Sequence, residues 1–318
     1  MNKFIIAIGL AVTALVGCAS GARGSESQSA NEEQSAVSVP EFCADSAYQY
    51  VNSQVAFGPR VPGSQAHSLC CQWLQGELLR HDADTVVAQR TRLDRLGEIT
   101  NVIGRFNLAA PRRVLLLAHW DTRPWADNDP DESNRAKPID GANDGGSGVG
   151  VLLELARLMG NTAPSVGVDI VLVDGEDSGS EGDDDSWALG AQYFAVNMLD
   201  PQPECGVLLD MVGGKDAKFP REYFSQRYAQ PVLNAVWQAA AKVGEEHRFL
   251  NTLGGAINDD HVPLLGVGVP TIDIIECSNP QTGSFPPTWH TLDDTMDNID
   301  RATLGAVGRV ITYFIYNK

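Results

Sequence analysis

Apolar runs in this chain end again and again in acids or histidine. The clusters are Ala118-His119-Trp120-Asp121, Gly141-Ala142-Asn143-Asp144, Asp174-Gly175-Glu176-Asp177, Leu209-Asp210-Met211 and Thr288-Trp289-His290. A short apolar run closing on ionisable groups reads as a buried strand whose carboxyl end faces a ligand. Carboxylates and imidazoles are the ligands zinc takes when one coordination position stays open for chemistry. The pattern therefore points to a metal-dependent enzyme built on an open α/β sheet.

The rest of the chain agrees with such a sheet. Residues 101–106 and 113–118 read as two strands joined by a turn at Ala110-Pro111. Residues 168–173 and 206–209 read as central strands, and 269–275 as a further strand. Leu69 to Leu79 has apolar residues at helical spacing, Val149 to Met159 is apolar nearly all round, and Arg301 to Tyr316 is amphipathic. Strands alternating with helices predict an α/β fold: one globular domain over residues 41–318, with a mixed, mostly parallel central sheet and helices on both faces.

The amino-terminal residues belong to a different kind of segment. Asn2-Lys3 precedes an apolar run from Phe4 to Val16, too short to span a bilayer and of signal-peptide length. Leu15-Val16-Gly17-Cys18 resembles the lipobox of bacterial lipoproteins, which implies a signal peptide over 1–17 and lipid on Cys18. An ordinary secretory signal with a chance cysteine is the alternative. Residues 18–40, polar and without hydrophobic period, read as a disordered tether. The expected location is the cell envelope, on the outer membrane facing the periplasm, with membrane contact only through the lipid. A formal charge of -18 argues against nucleic acid as a partner. Export also permits a disulfide, with Cys43 and either Cys70 or Cys71 as the expected pair, and Cys205 and Cys277 as buried thiols.

Within the clusters, Asp144 stands at the glycine-rich start of a helix, where an acid can also serve as a cap. Glu176 and Asp177 follow a strand directly. Neighbours on extended backbone face opposite ways, so one can bind metal while the other moves a proton. His290 is the strongest imidazole ligand, with His119 and His261 as competitors. His67, His81 and His247 read as structural or surface groups. Glu181 and Asp183 to Asp185 read as a solvated acidic loop, with calcium binding as a minor alternative. Asp259-Asp260-His261 abuts an apolar segment and is either a supporting hydrogen-bond network or part of the site.

Together with Phe57-Gly58-Pro59-Arg60-Val61-Pro62-Gly63-Ser64 and Ala66-His67, these clusters carry a resemblance over residues 42–318. The chain resembles the zinc aminopeptidase clan and, within it, the mammalian-type glutaminyl-peptide cyclotransferases, which also occur in bacteria. The resemblance implies one zinc per chain on Asp144, Asp177 and His290, with Glu176 as proton shuttle. It further implies Asp210 and Asp259 as acids whose hydrogen bonds support catalysis, and Trp289 as a wall of the substrate pocket. Asp177 departs from the glutamate often found at that ligand position. No second aromatic wall is assigned, because neither Trp125 nor Trp187 aligns.

The implied reaction turns the amino-terminal glutamine of a peptide or protein into pyroglutamate with loss of ammonia. The same positions also match the two-zinc aminopeptidases, in which His119 and Asp210 would hold a second ion bridged by Asp144, and Glu176 would activate water. Trp289 before the histidine, Lys218-Phe219-Pro220, and Asp259-Asp260-His261-Val262-Pro263 resemble the cyclases and favour that reading. A non-catalytic peptide-binding lipoprotein is the least consistent, since no ligand or base position holds an inert residue.

Overall fold

The computed structural model describes residues 39–318. The signal peptide, the lipidated cysteine and almost all of the tether expected from the sequence lie outside the described residues. Strand β3 (Arg113–His119) shows why a sheet forms here. Val114, Leu116 and Ala118 enter one apolar core, while Leu115 and Leu117 enter a second core on the opposite face. Strand β4 (Gly167–Val173) does the same, with Val168, Ile170 and Leu172 on the first side and Val171 and Val173 on the second. A strand buried on both faces has no use for polar alternation, which accounts for the unbroken apolar runs.

The sheet has six strands. With β1 (Thr85–Leu93), β2 (Gly97–Phe106), β5 (Cys205–Leu209) and the later strand Thr271–Ile274, the order is β1, β2, β4, β3, β5 and then Thr271–Ile274. The last four run parallel, and β1 and β2 are antiparallel additions at one edge. Strands β2 and β3 are consecutive in sequence yet do not pair, because β4 lies between them. The expected strand 269–275 is shorter than the sequence suggests, starting after Pro270, which has no amide to give a ladder.

Helices α1 (Ala44–Val55), α2 (Gln65–Arg80), α3 (Ser147–Asn161) and the closing helix Arg301–Tyr316 pack on the first face through Val51, Leu74, Leu152 and Val307. Helix α4 (Leu189–Val196) covers the second face with Ala191 and Phe194. Both faces are therefore covered, as the sequence implies. The expected disulfide is absent, because Cys43, Cys70 and Cys71 are free thiols, while Cys205 and Cys277 are buried free thiols as expected. Cys43 sits at the start of α1 with its amide on Glu154 of α3, whereas Cys70 is buried inside α2.

Register aligns the strand ends. His119 is opposite Val173, and Leu209 is opposite Ile274, so the residues that follow all emerge on one edge of the sheet. At the other end Asp169 of β4 closes a buried ion cluster. It accepts from Arg105 Nε at 2.9 Å, and from Arg113 Nε at 3.0 Å and Nη2 at 2.6 Å. Removing that carboxylate leaves two buried guanidinium groups uncompensated. Asp169→Ala is expected to cost about 3–5 kcal/mol in urea unfolding, as loss of one partner from a buried pair does. A change under about 1 kcal/mol, the range of an exposed pair, would contradict this.

Candidate active site

The pocket at the carboxyl edge is built by backbone loops that buried polar side chains hold in place. Arg60, fully buried, donates to the carbonyls of Trp120 (3.1 Å), Asp140 (2.7 Å) and Gly141 (2.7 Å), tying the loop after β3 to the loop before α3. Asp121 accepts the amides of Glu176 and Asp177, each at 3.2 Å, which fixes the turn that presents those two acids. Asp294 accepts the amides of Asn143 (2.8 Å) and Asp144 (3.0 Å). His67 bonds Asp174 at 2.9 Å and stacks on Trp120 with ring centroids 4.3 Å apart, so its role is structural. Gly145 has φ +86°, and a Cβ there would lie 2.2 Å from the Asp121 carbonyl oxygen. Only glycine lets Asp144 approach the loop after β3 so closely.

These loops bring Asp144, Asp177 and His290 together, each nearly fully buried, with one ligand-type atom from each within 4.8 Å of the others. His290 Nε2 is 3.1 Å from Asp177 Oδ1 and 3.7 Å from Asp144 Oδ2. His290 also holds φ +56°, a conformation a non-glycine residue rarely adopts and one that clusters at functional sites. A second group, His119, Asp144 and Asp210, adjoins it. There His119 Nε2 lies 3.1 Å from both Asp144 Oδ1 and Asp210 Oδ1. A third, Asp259, His261 and Asp273, lies behind, with His261 Nε2 bonded to Glu222 at 3.2 Å. Glu181 and Asp183 to Asp185 are exposed and join none of these groups among the described residues.

The electrostatics fit a cation. Among the described residues, Asp144 Oδ2 and Asp177 Oδ2 are buried without a hydrogen-bond partner. An unpaired buried carboxylate oxygen is costly unless something positive satisfies it. Burial, and then the neighbouring Asp144, push Asp177 up to about 6. Burial pushes Asp210 up to about 7, with the Asp259 charge adding to the shift. At His290 burial opposes protonation, but Asp177, Asp127 and Asp144 outweigh it and raise the imidazole to about 9. A divalent ion would take over this compensation and leave the acids ionised. Three protein ligands with an open side match the donor set of a catalytic zinc site.

A cavity of about 260 Å³ opens over this group, and Asp144, Glu176, Asp177, Asp210, Asp259, Trp289 and His290 all line it. Every residue singled out from the sequence as ligand, shuttle, supporting acid or wall thus meets in one place. Burial, followed by the charges of Asp259, Asp260 and Asp177, holds the Glu176 carboxyl well above its ordinary range despite the opposing pull of His119. Of the competing histidines, His119 adjoins the site, 3.1 Å from both Asp144 and Asp210, whereas His261 is buried on Glu222.

The aromatic lining is richer than the sequence suggests. Trp289 stacks on His290 with centroids 3.9 Å apart and 25° between planes, and Phe285 packs on Trp289 at 4.5 Å. Trp187, unassigned from the sequence, lies nearly parallel to His290 at 6.3 Å and lines the same cavity. Also missed were Arg60, Asp121 and Asp294, which touch only the loops. Asp121 stands inside one of the five clusters, and that placement was the available signal.

The peptidase family M28 model matches residues 101–315, and the chain belongs to that family. Within it, the glutaminyl-peptide cyclotransferase of Bos taurus is 26% identical over 291 residues, covering 80% of this chain and 77% of that one. A glutaminyl cyclase of Bacteroides thetaiotaomicron, solved with N-acetylhistamine bound, is 44% identical with a TM-score of 0.85 over 88% of this chain and 100% of that one. A leucine aminopeptidase precursor from Bacteroides thetaiotaomicron VPI-5482, at 44% identity and a TM-score of 0.84, covers 89% and 99%.

Proposed function

We propose that the protein is a zinc-dependent glutaminyl-peptide cyclotransferase, acting on peptides or proteins that begin with glutamine. Similarity to enzymes named glutaminyl cyclase supports a transferase of this type. The observation that carries the reading is the aromatic lining: Trp187, Phe285 and Trp289 line the cavity with His290, and both tryptophans lie close to parallel with its ring. An aromatic wall beside the metal site suits one flat side-chain amide held in a single pose. It does not suit a peptidase pocket that must admit residues it leaves unchanged.

Asp144, Asp177 and His290 would hold the zinc. Bound there, the ion supplies Lewis acidity toward the side-chain carbonyl of the substrate glutamine. Trp187 and Trp289 restrict the glutamine side chain so that its own α-amine lies near the side-chain carbonyl carbon. This orientation turns the attack into an intramolecular step and removes much of its entropy cost. Glu176 accepts the proton released as the amine nitrogen bonds to that carbon. It then returns the proton to the departing amide nitrogen, which leaves as ammonia when the original C–N bond breaks. Neither water nor an enzyme nucleophile is consumed. Asp259, which lines the cavity with Asp210, holds the field around Glu176 negative and so favours its proton-bearing form between the two transfers.

Incubating a Gln-led and a Leu-led peptide and weighing the products tests this. Loss of one ammonia from the Gln peptide, with the Leu peptide intact, is expected. A freed first residue from either peptide, without ammonia loss, would assign the aminopeptidase reaction instead.

A further inference from the structure

Arg123 is a buried cation with no part in the chemistry proposed above. Only 2% of it is exposed, and its guanidinium reaches the loop of Asp177 directly and His290 through Asp127. Nη1 donates to the carbonyls of Asp177 (3.1 Å) and Gly179 (3.0 Å), and lies 3.7 Å from Asp177 Oδ1. Nε donates to Asp127 Oδ1 at 3.1 Å and Nη2 to Asp127 Oδ2 at 2.5 Å. The same Asp127 Oδ1 is 3.2 Å from His290 Nδ1, and Trp125 Nε1 donates to Oδ2 at 3.1 Å. The guanidinium carbon lies 4.9 Å from the ring centres of both Trp125 and Trp187. The backbone adds one more link, from Asn128 N to His290 O at 3.1 Å.

We propose that Arg123 and Asp127 form a positioning clamp that sets His290, Asp177 and the Trp187 wall in their working geometry ahead of the metal. The chemistry follows from the atoms used. With Asp127 accepting from Nδ1–H, His290 is held as the tautomer whose Nε2 lone pair points toward Asp144 and Asp177. Both oxygens of Asp127 are already engaged, so it orients the ligand without competing as one. Arg123 keeps its charge at all working pH values and spreads it over a rigid fork. One side of that fork grips Asp127, behind His290. The other grips the Asp177–Gly179 backbone, and its face packs against Trp187. A guanidinium recruited only for stability has no reason to join the Asp177 backbone to the carboxylate that meets His290.

The inference rests on zinc binding by Asp144, Asp177 and His290, and its test separates the two. Zinc affinity is measured by chelator competition on the wild-type chain, Asp127→Ala, Asp127→Asn and Arg123→Lys. Melting of the metal-free proteins and cyclisation of a Gln-led peptide are followed in parallel. Asp127→Ala should bind zinc about 10–100-fold more weakly, the usual loss when the partner of a ligating histidine is removed. Its metal-free melting point should also fall, because buried Arg123 loses its carboxylate partner, so affinity is compared at a temperature where both metal-free chains are folded. Asp127→Asn, which keeps an acceptor oxygen, should recover part of the affinity. Arg123→Lys should weaken zinc and alter the near-ultraviolet dichroism of the tryptophans. Should that chain fail to fold, Asp127→Ala decides alone. Zinc affinity within twofold of wild type in Asp127→Ala overturns the clamp and leaves the metal site standing. Equal losses of affinity in Asp127→Ala and Asp127→Asn reduce the pair to a structural contact and also overturn it. A wild-type chain that binds no zinc overturns both.

Discussion

Glu176→Gln should slow cyclisation of a Gln-led peptide by about 10²–10⁴-fold while zinc content stays at the wild-type level, since removing a positioned general base has that effect. The amide keeps the size of the carboxyl but cannot accept the amine proton. Zinc should stay because Glu176 is absent from the Asp144, Asp177 and His290 group. The pH dependence gives a second check. Burial and the charges of Asp259, Asp260 and Asp177 raise the Glu176 pKa, and the base works only when ionised. Activity should therefore fall as pH drops, on an acid limb lying above the ordinary glutamate value of about 4.3. In the glutamine variant that limb should vanish with the rate. Turnover within a few-fold of wild type would remove Glu176 from the proton path.

The crowding of acids in the pocket explains how one carboxyl can be tuned without a dedicated partner. Asp144, Asp177, Asp210, Asp259 and Asp260 are buried around it, and Asp260 is raised mainly by burial and then by Asp259. Each acid that stays charged makes the next harder to ionise. The set can therefore trade protons at modest cost, and a bound cation sets how many it retains.

Sequence reading reached the parallel strands and the candidate ligands for the same reason. Residues 113–118 and 168–173 are buried on both faces, so they read as unbroken apolar runs, and an acid or histidine at the end of such a run stands out. The edge strand β1 was missed because Thr-Val-Val-Ala-Gln-Arg-Thr-Arg-Leu is only partly buried along its length and carries two arginines. Helix α1 was missed because half of its residues are polar and only Ala47, Tyr50, Val51 and Gln54 are buried. The site residues that escaped share a different property. Trp187 comes to His290 only because the loop before α4 folds back, with Trp187 Nε1 on the Ser180 carbonyl at 3.3 Å. Arg60 acts through three carbonyls far along the chain, and no local spacing encodes that. The disulfide expectation failed because it followed from export and cysteine count, whereas pairing depends on where each helix turns its thiol.

His290→Ala should abolish activity, with a rate loss of at least about 10³-fold and loss of bound zinc, because it removes both a ligand and the Lewis acid that ligand holds. It should behave like the wild-type chain stripped by a chelator, with one difference. Added zinc should restore the stripped wild type and leave the variant inactive. The same measurement bears on how many ions work here. His119 Nε2 already makes a 3.1 Å hydrogen bond to Asp210, while Asp144 Oδ2 and Asp177 Oδ2 have no partner among the described residues. Of the two adjoining groups that share Asp144, the one containing His290 thus has more unpartnered carboxylate oxygens, and one zinc per chain is expected. His290→Ala should then hold none. A variant that keeps one zinc, from a wild type that holds two, would place the second ion on His119, Asp144 and Asp210. That result would favour the aminopeptidase reaction, because a second ion would replace the hydrogen bond that now ties His119 to Asp210.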